Sequence, residues 1–133
     1  MKSVFADTSA LFALLVATDE SHERAAIAFR ALQARNARLL TTSYVLVEMY
    51  ALLSRRVGIA AVRRFRTGIS PLLDVVWVEG ELHEAALDFV LERSRSGISL
   101  VDAASFLVMR ANGIEEAFTF DRHFHKAGFA QVR

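Results

Sequence analysis

The sequence predicts an α/β domain on a central, mostly parallel sheet. Three observations carry that reading. Short strand-like runs alternate with helix-period segments along the whole chain. LLDVVWV is an unmistakable strand, rich in β-branched residues. Two isolated acids, Asp7 and Asp121, fall at the carboxyl ends of predicted strands, the edge where such sheets bind ligands.

The elements follow in order. KSVFAD reads as a short buried strand ending at Asp7, and SALFALLVA as the helix after it. Thr18 or Asp19 caps a second helix, about 20–34, whose Ala25, Ala26, Phe29 and Leu32 recur at helical spacing. ARLLTT is a strand, and Thr42 or Ser43 opens a helix running to about Arg56. Gly58 breaks it, and IAAVRRFRTG forms a further amphipathic helix. After LLDVVWV, ELHEAALDFVLERS is helical, with Leu82, Ala86, Phe89 and Val90 on one face, and SRSGI is a loop. Ser99 caps a helix from Leu100 to Asn112, with Gly113 suited to the position just past its end. EEAFTF is a strand closing at Asp121, DRHF a turn, and GFAQV a last strand.

With 133 residues, no Pro- or Gly/Ser-rich linker and no repeat, residues 1–133 are expected to form one domain. A hydrophobic share of 53% argues against disorder. Absence of cysteine excludes disulfides and thiolate metal sites. No apolar run reaches the roughly 18 residues of a membrane span, so a cytoplasmic protein is expected. A net charge of +1 does not by itself imply nucleic-acid binding.

Four carboxylates stand out. Asp7 is the only charge from Ser3 to Thr18, Glu48 the only one in YVLVEMYALL, and Asp102 the only one in ISLVDAASFLVM; Asp121 closes AFTF. An ionised carboxylate in apolar surroundings needs a partner, and no equally isolated cation is placed to provide one. A shared divalent ion would satisfy all four, and oxygen-only donors suit Mg²⁺ or Mn²⁺. Each acid also has a plainer reading. Asp102 completes a capping box with Ser99, Asp7 is a helix N-cap, and Asp121 starts a turn. Glu48, mid-helix, has neither excuse and would have to snorkel from a thin exposed stripe.

The order and context of these acids resemble the PIN-domain ribonucleases, in particular the VapC-type toxins of toxin–antitoxin pairs. The matching segments are VFADTSAL, TTSYVLVEMYALL, GISLVDAASFLVMR and AFTFDRHFHKAGF, which together span nearly the whole chain. The resemblance implies a three-layer α/β/α fold with a sheet of four to five strands. It implies a Mg²⁺- or Mn²⁺-dependent endoribonuclease, a cognate antitoxin that blocks the site, and a homodimer. Asp7 and Asp102 match the main metal ligands; Glu48 and Asp121 match the acids that complete the cluster or hold water. Thr8 and Ser9 are placed to orient Asp7 or a water. Thr119 stands where some PIN domains carry a further acid, which favours one firmly bound ion, with a second recruited by substrate.

Around this pocket, Arg93, Arg95, Arg122 and His123 are expected to contact RNA backbone, and His123 and His125 to lie on a surface turn rather than on the metal. An aspartyl-phosphate phosphatase would want a second acid two residues after its nucleophile, where this chain has Ser9. A phosphoacceptor receiver would use Lys126 but leave Glu48 and Asp102 unexplained. The competing reading of a different class is a non-catalytic, antitoxin-binding interaction module, with YVLVEMYALL facing a partner.

Overall fold

A computed structural model describes residues 2–133. Five strands form one sheet: β1 (Ser3–Ala6), β2 (Arg38–Thr42), β3 (Leu73–Val76), β4 (Glu116–Phe118) and β5 (Ala130–Gln131). Seven helices intervene: α1 (Thr8–Leu15), α2 (His22–Ala34), α3 (Ser43–Arg56), α4 (Ile59–Gly68), α5 (Gly80–Glu92), α6 (Leu100–Ala111) and α7 (Arg122–Lys126). The strand order is β3-β2-β1-β4-β5, and every pairing is parallel. Helices cover the sheet in a three-layer α/β arrangement, as the alternation in the sequence predicts.

β1 is the central strand, and Val4, Phe5 and Ala6 are fully buried. A strand covered on both faces needs an unbroken apolar run, which VFA supplies. The chain adds β2 and β3 on one side of β1, then returns to add β4 and β5 on the other. The order therefore reverses between β1 and β4, and the crevice at their carboxyl ends is the switch point of the sheet. Asp7 lies just beyond β1 there, and its backbone N–H donates to the Phe118 carbonyl of β4 at 3.0 Å.

Three segments depart from the sequence expectation. β4 stops at Phe118 rather than running to Asp121, because Thr119 turns its hydroxyl to Asp7. The predicted DRHF turn is the short helix α7, started by Asp121, whose Oδ1 accepts from His123 N–H at 2.9 Å. The second helix begins at His22; Asp19 caps nothing in it but holds the preceding loop by accepting from Ser21 N–H. The end of α6 is as expected, with Gly113 at φ 64°, a left-handed conformation favouring glycine.

A five-residue helix has no stability of its own. Phe124 holds α7 down: it is 1% exposed, and its ring centroid lies 4.9 Å from Phe106 of α6 and 6.2 Å from Phe5 of β1. Phe5 precedes Asp7 by two residues, Phe106 is one turn beyond Asp102, and Phe124 is three residues past Asp121. This aromatic cluster ties together the three elements that carry those acids. Phe124→Ala is expected to lower stability by about 3–5 kcal/mol in urea denaturation, the usual cost of emptying a buried aromatic site.

Candidate active site

Three helix N-termini, those of α1, α6 and α7, carry an aspartate at the switch-point crevice: Asp7 and Asp121 are N-caps, and Asp102 is the third residue of the capping box that Ser99 opens. Asp7 is the N-cap of α1 and only 3% exposed. Its Oδ2 accepts from Ser9 N–H (3.4 Å), Ser9 Oγ (2.8 Å) and Thr119 Oγ1 (2.9 Å). The hydroxyls are themselves oriented: Phe120 N–H donates to Ser9 Oγ and Asp121 N–H to Thr119 Oγ1, each at 2.9 Å. Asp102 closes the predicted capping box of α6, with Ser99 N–H on its Oδ2 at 3.4 Å and its own N–H on Ser99 Oγ at 3.0 Å. Asp121 caps α7 through Oδ1.

The plain reading of these acids is therefore compatible with the functional one. Each aspartate spends one oxygen on a helix N-terminus. Among the described residues, none of their second oxygens (Oδ1 of Asp7, Oδ1 of Asp102, Oδ2 of Asp121) takes part in a hydrogen bond. Positive helix ends partly offset the negative charge that gathers here.

The carboxylates feel one another. Asp7 is pushed up to about 6, first by burial and further by the charges of Asp102 and Asp121, against the hydrogen bonds from Ser9 and Thr119. Asp102 is also raised, by burial and then by Asp121, against Ser99 and His123. A divalent cation would reverse this and favour the ionised forms. Two buried polar atoms have no hydrogen-bond partner among the described residues, Thr8 Oγ1 and His123 Nδ1, and both border this crevice. Oxygen-rich donors, free carboxylate oxygens and orphaned atoms beside them fit a bound metal ion.

His123 corrects the surface-turn expectation. Because Asp121 starts a helix, His123 turns back over the acids, with Nδ1 2.9 Å from Asp121 Oδ1 and 3.9 Å from Asp102 Oδ2. Ligand atoms of Asp102, Asp121 and His123 all lie within 4.8 Å of one another. Neither Asp7 nor Glu48 is in that group, although Asp7 lies close enough to feel the charges of Asp102 and Asp121. Glu48 sits half-buried on α3 in an apolar groove with Tyr44, Val47, Ala51, Leu100 and Val101, the last being the residue before Asp102.

Beside the acids lies a basic cavity. Arg93 and His123 line it, together with Arg110 and Lys126, which sequence reasoning did not single out. The Arg93 guanidinium rests 3.7 Å above the Phe89 ring. Arg95 and Arg122 are exposed and do not line this cavity. Arg110 closes one helix and Lys126 another, so only the packing of α6 against α7 brings them together; no local pattern announces it.

A family model for the PIN domain matches residues 4–130. The chain is 37% identical over 131 residues to a Mycobacterium tuberculosis protein named 23S rRNA-specific endonuclease VapC20, covering 98% of each. The crystal structure of that VapC20, described as a Sarcin-Ricin loop cleaving toxin, superposes with a TM-score of 0.84 over 98% of both chains. PAE2754 from Pyrobaculum aerophilum (22% identical, TM-score 0.63, covering 99% of this chain and 90% of that one) shares the fold. So does FitAcB from Neisseria gonorrhoeae (14%, TM-score 0.70, covering 98% and 96%).

The raised Asp7 has a sign that can be checked in metal-free protein. Its folded value of about 6 lies above the unfolded 3.8, so between them the folded state holds more protons. Its contribution to stability therefore falls as pH rises from about 4 to about 6 and is level above that. Asp7→Asn keeps a good N-cap and removes the charge. With chelator present, its unfolding free energy should exceed that of wild type at pH 8 by an amount on the order of 3 kcal/mol and converge on it toward pH 4. A pH-independent difference would contradict this account.

Proposed function

Because the chain belongs to the PIN-domain family and is an RNA endonuclease of the VapC toxin type, we propose that the three-aspartate crevice hydrolyses RNA phosphodiester bonds with Mg²⁺ or Mn²⁺. The observation that carries this is the convergence of Asp7, Asp102 and Asp121, each with an uncapped oxygen, at the switch point of a parallel sheet.

Asp7 and Asp102 hold the ion, and Asp121 completes its oxygen surround. When bound, a divalent ion activates a water and stabilises the charge that develops on phosphate and leaving oxygens. Ser9 and Thr119 keep Asp7 turned toward the crevice by donating to its other oxygen. Thr8, buried beside Asp7 with an unpartnered hydroxyl, holds a water or the ion's outer ligand. Glu48 acts from the rim of the site, where its groove shares Val101 with the helix of Asp102. Thr119 in place of a further acid supports one firmly held ion.

RNA enters along the basic cavity, whose Arg93, Arg110 and Lys126 meet backbone phosphates, with Arg95 and Arg122 as outer contacts. Whole-chain identity to a 23S rRNA-specific endonuclease supports a looped ribosomal RNA as the substrate. The likeness to VapC20 supports a cognate antitoxin as inhibitor; assembly as a homodimer and action in the cytoplasm belong to the same proposal. No helix among the described residues is long and apolar enough to cross a membrane. An interaction module without catalysis has no observation in its favour here, since the acidic crevice is complete for the three aspartates.

Purified protein is expected to cut RNA with Mg²⁺ or Mn²⁺ and to stop with chelator. Asp7→Asn and Asp102→Asn should each lose about a hundredfold or more in rate, the order contributed by a group acting directly on the transition state. Metal-independent cutting, or wild-type rates in both variants, would sink the proposal. In chelator, with Asp102→Asn as the background, Lys126→Ala or Arg110→Gln should each reduce the salt slope of single-stranded RNA binding by about 0.7. Arg38→Ala, at the opposite end of the strands, should leave it unchanged.

A further inference from the structure

We propose that His123 is a protein ligand of the ion, through Nδ1, so that the site is a mixed oxygen–nitrogen centre that prefers Mn²⁺ to Mg²⁺. This rests on the metal-nuclease reading above and adds a residue to it.

Three observations carry the assignment. Nδ1 is buried and makes no hydrogen bond, although Asp121 Oδ1 is only 2.9 Å away. The contact is close enough for a hydrogen bond but misdirected, so the in-plane direction of the nitrogen points past that oxygen. Buried orphans of this kind call for an absent ligand. Second, the spacings suit a shared ion. Ligands about 2.0–2.2 Å from one metal stand about 3 Å apart when adjacent and farther when the angle opens, and Nδ1 lies 2.9 Å from Asp121 Oδ1 and 3.9 Å from Asp102 Oδ2, oxygens that accept a helix-start N–H and each keep a further lone pair for an ion. Third, the ring is flanked on its far edge. Its Nε2 edge faces the loop before α6, where a β-carbon on Gly97 would lie 3.6 Å from Nε2; Gly97 itself has φ +76°, a conformation that disfavours any side chain there. The imidazole also forms one wall of the cavity of Arg93, Arg110 and Lys126. The second nitrogen of a ligating histidine usually donates to an outer group, and here RNA phosphate in that cavity would be available to it.

A nitrogen donor changes which ion is favoured. Mg²⁺ seeks oxygen and water and gives up its water reluctantly, whereas imidazole suits transition ions. The rival role for His123 is a cation that merely pairs with two aspartates. The two differ in sign: removing a ligand weakens metal binding, whereas removing a competing positive charge leaves it unchanged or tightens it.

The test loads the full chain with Mn²⁺ without RNA and records pulsed electron paramagnetic resonance. Wild type is expected to show ¹⁴N coupling from a directly bound imidazole, and His123→Gln to lack it. The Mn²⁺ dissociation constant of the variant should rise about tenfold or more, while that for Mg²⁺ changes by less than about threefold. Bound Mn²⁺ without ¹⁴N coupling, or equal or tighter Mn²⁺ binding in His123→Gln, overturns the ligand role and leaves the nuclease reading intact. No Mn²⁺ binding by wild type, together with RNA cleavage unaffected by chelator, overturns both.

Discussion

The whole site depends on one interaction made three times: an aspartate oxygen accepting backbone N–H groups at the start of a helix. Asp7 does this for α1, Asp102 for α6 and Asp121 for α7. Each cap satisfies donors that the helix cannot satisfy internally. Each also restrains its carboxylate while, among the described residues, leaving the other oxygen without a hydrogen bond. The Phe5–Phe106–Phe124 cluster then holds the three helix starts in register with one another. The gathering of acids at this crevice is therefore a by-product of how the backbone begins three helices.

Much of this was legible in the chain. An acid alone in an apolar run is costly, and the three aspartates and Glu48 were found on that ground alone. Strand ends and the S-L-V-D capping box were also local signals, and the structure carries them. A carboxylate has two oxygens, so the roles of cap and ligand do not exclude each other. Glu48 looked most anomalous because no cap explains it, yet it is half-buried at the side of a groove rather than within the tight cluster. An apolar neighbourhood in sequence does not say which way a helical side chain leaves its helix.

What the sequence withheld is tertiary. Helix α7 is too short for a periodic pattern and exists because Phe124 has a buried site to fill. His123 enters the cluster only as a consequence of that helix. The cations Arg110 and Lys126 come from different elements and join Arg93 only after α6 and α7 have packed. For the same reason the net charge of +1 describes the molecule poorly. Acidic and basic groups are sorted into adjoining compartments with His123 on the wall between them, and such local fields matter more to a polyanion than their sum.

The double use of the aspartates constrains how this domain can change over generations. A lineage that no longer needed the activity would still need its helix caps, so drift at these three positions would be slow. Asparagine is the open exit, since it caps nearly as well as aspartate while carrying no charge. Relatives that have gone silent are then expected to read Asn at the position of Asp7 before they read Ala or Gly. An aspartate kept at all three positions, by contrast, records a requirement for charge that capping alone does not impose.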